Sequence, residues 1–511
     1  MKKYIMMTAT FCALLVTNSC TKNFDKLNTD PTTLSSLPAS AIPKAFARSE
    51  WEGVYADPGS YELIHSLFTD FWSQYFADGN GDASDRNVIN QDWIISQWNL
   101  MYTVNWPSLK IVIDQTAKTS PAANAIAKVW KVFLFHQHTD LYGPVPYSKA
   151  GLGLLSIPYD SQQSIYADFF KTLDEAVAVL KTADKSQQPF GTDDLIYHGD
   201  IQKWLVFANS LRLRLALRVS YVDPVNAKIQ AEQAIKDGVM MVNTDNAFVD
   251  VGPNSINGLA DESPWENMRM SASMESYLKG YNDPRMQQYY EPSPDDGQFH
   301  GLRNGLTVNQ IASAVKVNGT NLSNINTTRW SPATETVTPL KVMYASECYF
   351  LRAEGALNGW NMGGSAKDLY EQGITYSMQQ WGITDATAIS NYIKSSATPI
   401  AITDYLNSPA VATVPISFAT DETMERQQIQ TQKWIALFPD GMEAWAEVRR
   451  TGYPKLYPVV KSDNPDVSTS DIIRRFTFLN YEYQTNAQAV KAAIPLLNGP
   501  DKASTHVWWN K

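Results

Sequence analysis

The sequence has little cysteine, little charge and no excess of basic residues. Its 511 residues include three cysteines, 18% are charged, and the formal net charge is −10. A nucleic-acid binder needs a basic face to displace counterions, so this acidic balance argues against that class. With 44% hydrophobic and 12% aromatic residues, a chain of this length can bury a large core and needs neither disulfides nor metals to support it. The same composition excludes global intrinsic disorder.

Long hydrophobic runs are also absent, with one exception at the amino end. Two lysines precede an uncharged, mostly apolar stretch over residues 4–17, which is too short to span a bilayer and suits the core of a signal peptide. Ser19 and Cys20 follow, in the arrangement of a bacterial lipoprotein signal. We therefore expect residues 1–19 to be removed and Cys20 to carry lipid. The alternative is ordinary cleavage in which Cys20 has no special role.

The other cysteines agree with a lipid anchor. Cys12 leaves with the signal and Cys20 takes the lipid, so Cys348 has no partner for a disulfide within the mature chain. Cys348 lies in an apolar helical pattern and is predicted to be a small core residue. Residues 20–50 begin with a polar stretch that contains proline, and we interpret them as the lipidated arm that leads into a globular domain over 51–511.

Apolar residues recur at helical spacing in several stretches. The clearest predicted helix is 204–219, for which Asp200 is a plausible N-cap. Further helices are predicted over 93–116, 124–139, 165–180, 345–357 and 366–381. Several of these stretches form pairs separated by a short connection, which favours an all-α scaffold of tetratricopeptide-like repeats, mainly over 90–245 and 340–382.

Long stretches rich in Asn, Ser, Thr, Pro and Gly occupy 251–340 and much of 384–511, and loops of that length are usually functional. Five aromatic residues are predicted to lie in loops: Trp72, Tyr75, Trp265, Tyr290 and Trp330. A sugar has a flat C–H face and a rim of hydroxyls, so an exposed ring can cover the face while Asn, Asp and Arg serve the rim. We expect these five to form the ligand-binding surface. The alternative for each is a core residue that anchors its loop.

No sequence motif of a common catalytic or cofactor site is present. The chain has no phosphate-binding loop, no H-E-x-x-H zinc motif and no G-x-S-x-G nucleophile motif. His136 and His138 stand two residues apart, which directs their rings to different faces of a helix, so a helix end is favoured over a metal site. The sequence predicts no metal and no cofactor.

Carboxylates lie close together in sequence in two places. Glu347 and Glu354 are seven residues apart on one predicted helix, about 10.5 Å along its axis, and cannot face each other across a substrate as glycosidase acids must. A solvated or ion-paired helix face is favoured for them. Glu443, Glu447 and Arg450 fit an ion-pair lattice along another helix.

Several short motifs follow one another along the chain after Cys20. They are Asn23-Phe-Asp25, Asn28-Thr-Asp30-Pro31, Asp140-Leu-Tyr-Gly-Pro-Val-Pro-Tyr147, the 204–218 helix, Asp283-Pro-Arg285, Phe350-Leu-Arg-Ala-Glu354, the segments 432–438 and 443–454, and Trp508-Trp509. In this order they resemble the SusD/RagB family, the nutrient-binding outer-membrane lipoproteins of Bacteroidetes, in its SusD-like branch.

The resemblance implies an all-α fold in which tetratricopeptide-like helix pairs form a scaffold and a loop-rich half carries the ligand. It implies no catalysis. It also implies a partner, a SusC-like TonB-dependent β-barrel transporter, over which the lipoprotein sits as a hinged lid.

Together, these observations predict a lipid-anchored protein of the outer membrane that faces the cell exterior, captures a glycan and passes it to the transporter. One alternative is the same role for a peptide or another nutrient. A second is a lipid-anchored polysaccharide hydrolase, and a third is a helical-repeat assembly factor with no small ligand. The acidic net charge mildly disfavours polyanionic glycans.

Overall fold

A computed structural model describes residues 36–81, 84–251, 257–265, 267–331 and 338–510. The expected signal peptide, Cys20 and the first part of the arm lie outside these residues. By its internal contacts the chain divides into a unit over 1–42 and a unit over 43–511. In the first unit the described residues include the short 3₁₀ helix Ala39–Ala41. Helix α1, Ile42–Gly53, crosses position 50, where the arm is expected to end.

Helices dominate the described structure, which confirms the predicted all-α class. The α-helices in chain order are α1 Ile42–Gly53, α2 Pro58–Tyr61, α3 Asp70–Trp72, α4 Gln91–Asn99, α5 Trp106–Thr116, α6 Pro121–Tyr142, α7 Gln162–Thr182, α8 Ile201–Arg218, α9 Pro224–Asp237, α10 Gly258–Glu262, α11 Ala272–Gly280, α12 Met286–Tyr289, α13 Val308–Ala314, α14 Ala345–Leu357, α15 Ala366–Gln380, α16 Ala386–Ile393, α17 Glu422–Leu437, α18 Gly441–Thr451, α19 Asn480–Thr485 and α20 Ala487–Ala493. The π-helical segments are Glu62–Thr69 and Leu100–Asn105, and further 3₁₀ helices are Ser84–Arg86, Gly191–Asp193, Asn243–Asp245, Val317–Gly319 and Ile494–Leu496. Among the described residues, no helix combines the length and the apolar character needed to cross a bilayer.

Two small antiparallel sheets join segments that are distant in sequence. Strand β1, Phe76–Asp78, pairs with β3, Met268–Met270. Strand β2, Ala247–Val249, pairs with β4, Leu340–Met343, with an irregular register after Ala247. The sheets therefore fasten the loop-rich segments near residues 268 and 340 to earlier parts of the chain.

The predicted helix at 204–219 is present as α8. Asp200 caps it, because its carboxylate accepts hydrogen bonds from the backbone N–H groups of Gln202 and Lys203 at 2.9 and 3.0 Å. Trp204 and Leu211 lie in the core, and so do Arg214 and Arg218 on the adjacent face of the helix. Helix α8 is thus buried nearly all round, rather than amphipathic.

The other predicted helices are also present, with shifted ends. The stretch at 93–116 is not one α-helix, since the π-helical turn Leu100–Asn105 separates α4 from α5. Helix α6 continues beyond residue 139 to Tyr142 and ends where Gly143 adopts a φ of +83°. Consecutive helices pack against each other, α5 with α6, α6 with α7, α8 with α9 and α14 with α15. This arrangement agrees with the predicted helix-pair scaffold.

The carboxylates of α14 are paired, but not on a solvated face. Glu347 and Glu354 are both 1% exposed. Arg214 of α8 donates to both oxygens of Glu347 at 2.7 Å, and Arg450 of α18 donates to both oxygens of Glu354 at 2.7 and 2.6 Å. A buried carboxylate needs such a partner, because burial without one is very costly.

The predicted ion-pair lattice on α18 is also buried, and it extends to other helices. Arg218 of α8 donates to Glu447 at 2.6 Å, pairs with Glu443 and lies 3.3 Å from Asp140 of α6. Lys433 of α17 lies 2.9 Å from Glu447. The expectation of a lattice along one helix is therefore incomplete, because its main partners come from other helices across the core.

Candidate ligand-binding surface

Four of the five aromatic residues predicted to bind ligand lie in the core. Trp72 is 5% exposed, and Tyr75, Tyr290 and Trp330 are fully buried. The Trp72 indole donates to the carbonyl of Ser84 at 3.2 Å, and the Tyr290 hydroxyl donates to the carbonyl of Tyr75 at 2.8 Å. The surface position expected for these four rings is therefore wrong. They anchor their segments from the inside, which is the alternative that the sequence left open.

Trp265 is the member of the five that presents its ring to solvent, with 38% of its surface exposed. It follows α10, and its N–H donates to the carbonyl of Glu262 at 2.7 Å. The carbonyl of the nearby Ser263 accepts a hydrogen bond from the side chain of Asn324 at 2.7 Å. Trp265 therefore lies beside the irregular segment that runs from about residue 320 to 330.

The same irregular segment contributes to a pocket of about 380 Å³, which we call the rim pocket. Its residues come from three stretches, 293–306, 314–322 and 403–405. Leu302, Leu306 and Leu322 line it and belong to a buried apolar cluster that also contains Ala77 and Ile311. The floor of the rim pocket is therefore continuous with the core.

Gly301 lets the floor of the rim pocket approach the backbone of Ser271 closely. A Cβ atom at Gly301 would lie 2.4 Å from the carbonyl oxygen of Ser271, so any larger residue would force the backbone apart. The adjacent residues are joined by two backbone hydrogen bonds. The N–H of Leu302 donates to the carbonyl of Met270 at 2.8 Å, and the N–H of Ala272 donates to the carbonyl of Leu302 at 2.7 Å. The floor is thus tied to β3 and to the start of α11.

One side of the rim pocket carries two carboxylates that are hydrogen-bonded to Lys316 and His300. Asp295 pairs with Lys316, and Asp296 lies 2.9 Å from Nε2 of His300. The hydrogen bond from Lys316 lowers the pKa of Asp295, and the hydrogen bond from His300 lowers the pKa of Asp296. Both groups are therefore ionised acceptors at neutral pH. A general acid of a glycosidase requires the opposite shift.

The other side presents an aromatic ring beside groups with fixed positions. Tyr405 is 49% exposed. The preceding carboxylate, Asp404, accepts from the N–H of Ser408 at 2.8 Å, and Arg303 donates to the hydroxyl of Ser408 at 2.7 Å. The Arg303 guanidinium also stacks on the ring of Tyr457, 4.6 Å from its centre. These contacts order the side chains before any ligand arrives.

This arrangement suits a ligand with apolar faces and a polar edge. Tyr405 offers a ring, the leucine floor offers apolar surface, and the rim offers fixed acceptors and donors. Sequence reasoning missed Tyr405, Asp296 and His300. Tyr405 lies in an irregular stretch, as the buried Trp330 does, so the sequence alone could not separate the two cases.

No arrangement for a metal ion is found among the described residues, in that no group of three or more His, Cys, Asp and Glu side chains is placed to hold one. Nδ1 of His136 lies 2.6 Å from the carbonyl of Phe133, and Nδ1 of His138 lies 3.0 Å from the amide nitrogen of Gln97. The two rings therefore serve separate local contacts within the core.

Comparison with known proteins places the chain among close structural relatives. Residues 32–510 match the family model described as SusD-like, Susd and RagB outer membrane lipoprotein. A chitin-binding SusD homologue from Flavobacterium johnsoniae is 34% identical with a TM-score of 0.84, and the match covers 92% of this chain and 98% of that one. No curated protein matches the chain.

Two further solved structures agree. A SusD-like protein from Bacteroides thetaiotaomicron is 31% identical with a TM-score of 0.83, over 92% of this chain and 98% of that one. A SusD homologue from Bacteroides uniformis is 32% identical with a TM-score of 0.84, over 93% of this chain and all of that one.

Proposed function

Because the chain belongs to the SusD-like family of outer-membrane lipoproteins, we propose that it captures a glycan at the cell surface and passes it, without catalysis, to a SusC-like TonB-dependent β-barrel transporter. The similarity to a chitin-binding homologue supports a glycan as the ligand. The scaffold of helix pairs and the ordered, polar rim pocket agree with a binding role.

The observation that carries the proposal is the exposed ring of Tyr405 beside an apolar floor and a rim of ordered charges. Aromatic rings bind the C–H faces of sugars, while charged groups accept and donate hydrogen bonds at the hydroxyls. We place the ligand at the rim pocket and extend the site to Trp265.

We expect Tyr405→Ala and Trp265→Ala each to weaken glycan binding by about 1 kcal/mol, roughly fivefold in Kd, because each removes one stacking contact. Isothermal titration calorimetry against a panel of neutral oligosaccharides and short peptides measures this. Tyr481→Ala is the matched control, because Tyr481 is 50% exposed and lies on α19, away from the rim pocket.

Equal affinities for wild type and both variants would remove the rim pocket from the proposal. Binding of peptides alone would replace the glycan by the alternative nutrient. A hydrolase predicts release of shorter sugars from a labelled polysaccharide by the purified protein. The lowered pKa values of Asp295 and Asp296 argue against that activity at this pocket.

The anchor and the partner form a separate part of the proposal. We propose that residues 1–19 are removed and that Cys20 is acylated, which tethers the protein to the outer membrane. We expect the full-length protein to incorporate labelled palmitate and to co-purify with a TonB-dependent barrel from detergent-solubilised outer membranes. The variant Cys20→Ser should lose the label and leave the membrane fraction. Labelling that persists in Cys20→Ser would exclude this site of acylation.

A further inference from the structure

One loop of the scaffold displays apolar side chains to solvent. It joins α6 to α7, and its residues 151–156 are Gly-Leu-Gly-Leu-Leu-Ser. Leu152 is 53% exposed, Leu154 is 47% exposed, and Leu155, at 104%, is more exposed than any other large apolar residue that the structure describes. Single exposed apolar residues are normal on a protein surface, but clustered ones mark interaction sites. We call residues 151–156 the leucine loop.

The leucine loop stands on an ordered base. Before the loop, Ser148 donates from its N–H and its hydroxyl to the carboxylate of Asp160 at 2.8 and 2.9 Å. At its end, the hydroxyl of Ser156 donates to the side-chain oxygen of Asn486 at 2.7 Å, and Nδ2 of Asn486 donates to the carbonyl of Ile157 at 3.1 Å. Both ends of the loop are therefore held, and folded structure displays its leucines.

The tip of the leucine loop projects from the surface. Leu155 is as exposed as it would be in an extended chain, and a Cβ atom added at Gly153 would meet no atom within 4 Å. A stable protein interface buries about 800 Å² on each partner and needs a matching shape. A projecting tip of three side chains presents far less surface than that. A bilayer requires no matching shape, because apolar side chains can enter the boundary between its headgroups and acyl chains.

The charges beside the leucine loop also suit a lipid surface. Lys149 directly precedes the loop, is exposed and forms no ion pair with the residues that the structure describes. Acidic side chains on the neighbouring helices are engaged, since Asp114 pairs with Lys110 at 2.5 Å and Asp168 pairs with Lys131 at 3.3 Å. In a chain with a net charge of −10, the loop thus has an unpaired cation beside it, and anionic headgroups attract such a cation.

We infer that the leucine loop is a lipid-contact site, whose leucines enter the membrane interface while Lys149 contacts anionic headgroups. This inference rests on the lipid anchor of the proposed function and adds a second point of contact. A contact of this size is weak and reversible by itself, but the anchor keeps the loop close to the bilayer, so a weak contact is enough. Two points of contact restrict how the protein is oriented over the membrane, whereas a single point does not.

Unlipidated protein tests the loop separately from the anchor. The purified Cys20→Ser protein is sedimented with vesicles of phosphatidylcholine and phosphatidylglycerol in a two-to-one ratio, and with vesicles of phosphatidylcholine alone. In this background, Leu154→Ser combined with Leu155→Ser removes the apolar tip. Val225→Ser combined with Ile229→Ser is the matched control, because it removes as many apolar side chains, which are 72% and 59% exposed on α9.

We expect the unlipidated protein to partition into the mixed vesicles. The double leucine variant should partition at least about tenfold more weakly, because two apolar side chains no longer leave water, whereas the control pair should not change the partition. Lys149→Ala should weaken partition about fivefold on the mixed vesicles and leave it unchanged on phosphatidylcholine alone, because only the mixed vesicles carry net charge. Urea unfolding of each variant should match that of its parent, since the replaced side chains are exposed.

Equal partition of the double leucine variant and the control pair would overturn the inference, as would no partition of the parent into either kind of vesicle. If the leucine substitutions instead reduce co-purification of the lipidated protein with the barrel and leave vesicle partition unchanged, the loop is a protein contact. If Cys20 takes up no palmitate in cells, the proposed anchor fails, and the loop, which is too weak to hold the protein alone, loses its role with it. A change confined to the leucine variants therefore tests the loop, and labelling at Cys20 tests the proposed function.

Discussion

Three buried histidines should make the protein sensitive to acid. Burial lowers the pKa of His65 and of His138 to about 3, and lowers the pKa of His136 well below its ordinary value. The unfolded chain binds a proton at each histidine below a pH of about 6.5, and the folded chain does not. This contribution to stability is therefore complete above pH 6.5 and is lost as the pH falls toward 3.

We expect each of these histidines to remove about 2 kcal/mol of stability between pH 7 and pH 5, with a slope of about 1.4 kcal/mol per pH unit. Urea unfolding across this range measures the slope for wild type and for His138→Leu. In the variant, the part of this slope that comes from the three histidines should be smaller by about one third. Between pH 7 and pH 8 the free energy of unfolding should change with pH in the same way for the two proteins. A slope unaffected by His138→Leu below pH 6.5 would contradict the assignment.

At the scale of the element, the start of α8 depends on one side chain. Asp200 accepts from two backbone N–H groups that have no other helical partner. We expect Asp200→Ala to lower the free energy of unfolding by about 1 kcal/mol, because those donors lose their acceptor. Asp200→Asn keeps an acceptor oxygen, so its free energy of unfolding should remain within a few tenths of a kcal/mol of the wild-type value. Chemical denaturation of both variants tests this, and equal losses for the two would exclude a capping role.

Helix α8 also shows the limit of prediction from periodicity. The apolar spacing and the cap predicted its position to within a few residues, since both are local properties of the chain. They did not predict that Arg214 and Arg218 are buried. A polar stripe usually marks a solvated face, and only the carboxylates of α14 and α18 reverse that expectation here.

At the scale of the molecule, several of the family motifs converge on one network of buried charges. Arg218, Glu354, Glu447 and Arg450 belong to motifs on α8, α14 and α18, and Asp140 begins the motif at the end of α6. Although burial raises it, the pKa of Glu447 is held well below its ordinary value by Arg450, Lys433 and Arg218. The motifs therefore stabilise the scaffold, and the candidate ligand sites lie in less patterned segments.

We expect Arg218→Met to destabilise the protein by about 3–5 kcal/mol, because it leaves Glu443 and Glu447 buried without one of their partners. Lys171→Met is the control, since Lys171 forms an exposed ion pair with Glu175 at 3.3 Å and should cost less than about 1 kcal/mol. Thermal and urea unfolding compare the two. A loss for Arg218→Met as small as the control would show that the network contributes little.

The sequence by itself determined the approximate positions of the six predicted helical stretches, the N-cap of α8, the buried position of Cys348 and the family. These depend on local spacing and on the order of motifs. Only the tertiary structure decided which rings are exposed and which charges are buried. Trp330 and Trp265 both lie in irregular stretches, yet one is buried and the other is 38% exposed. Arg218 meets Glu447 across 229 residues of chain. The burial of these rings and charges is decided by segments that are distant in sequence, so local patterns do not report it.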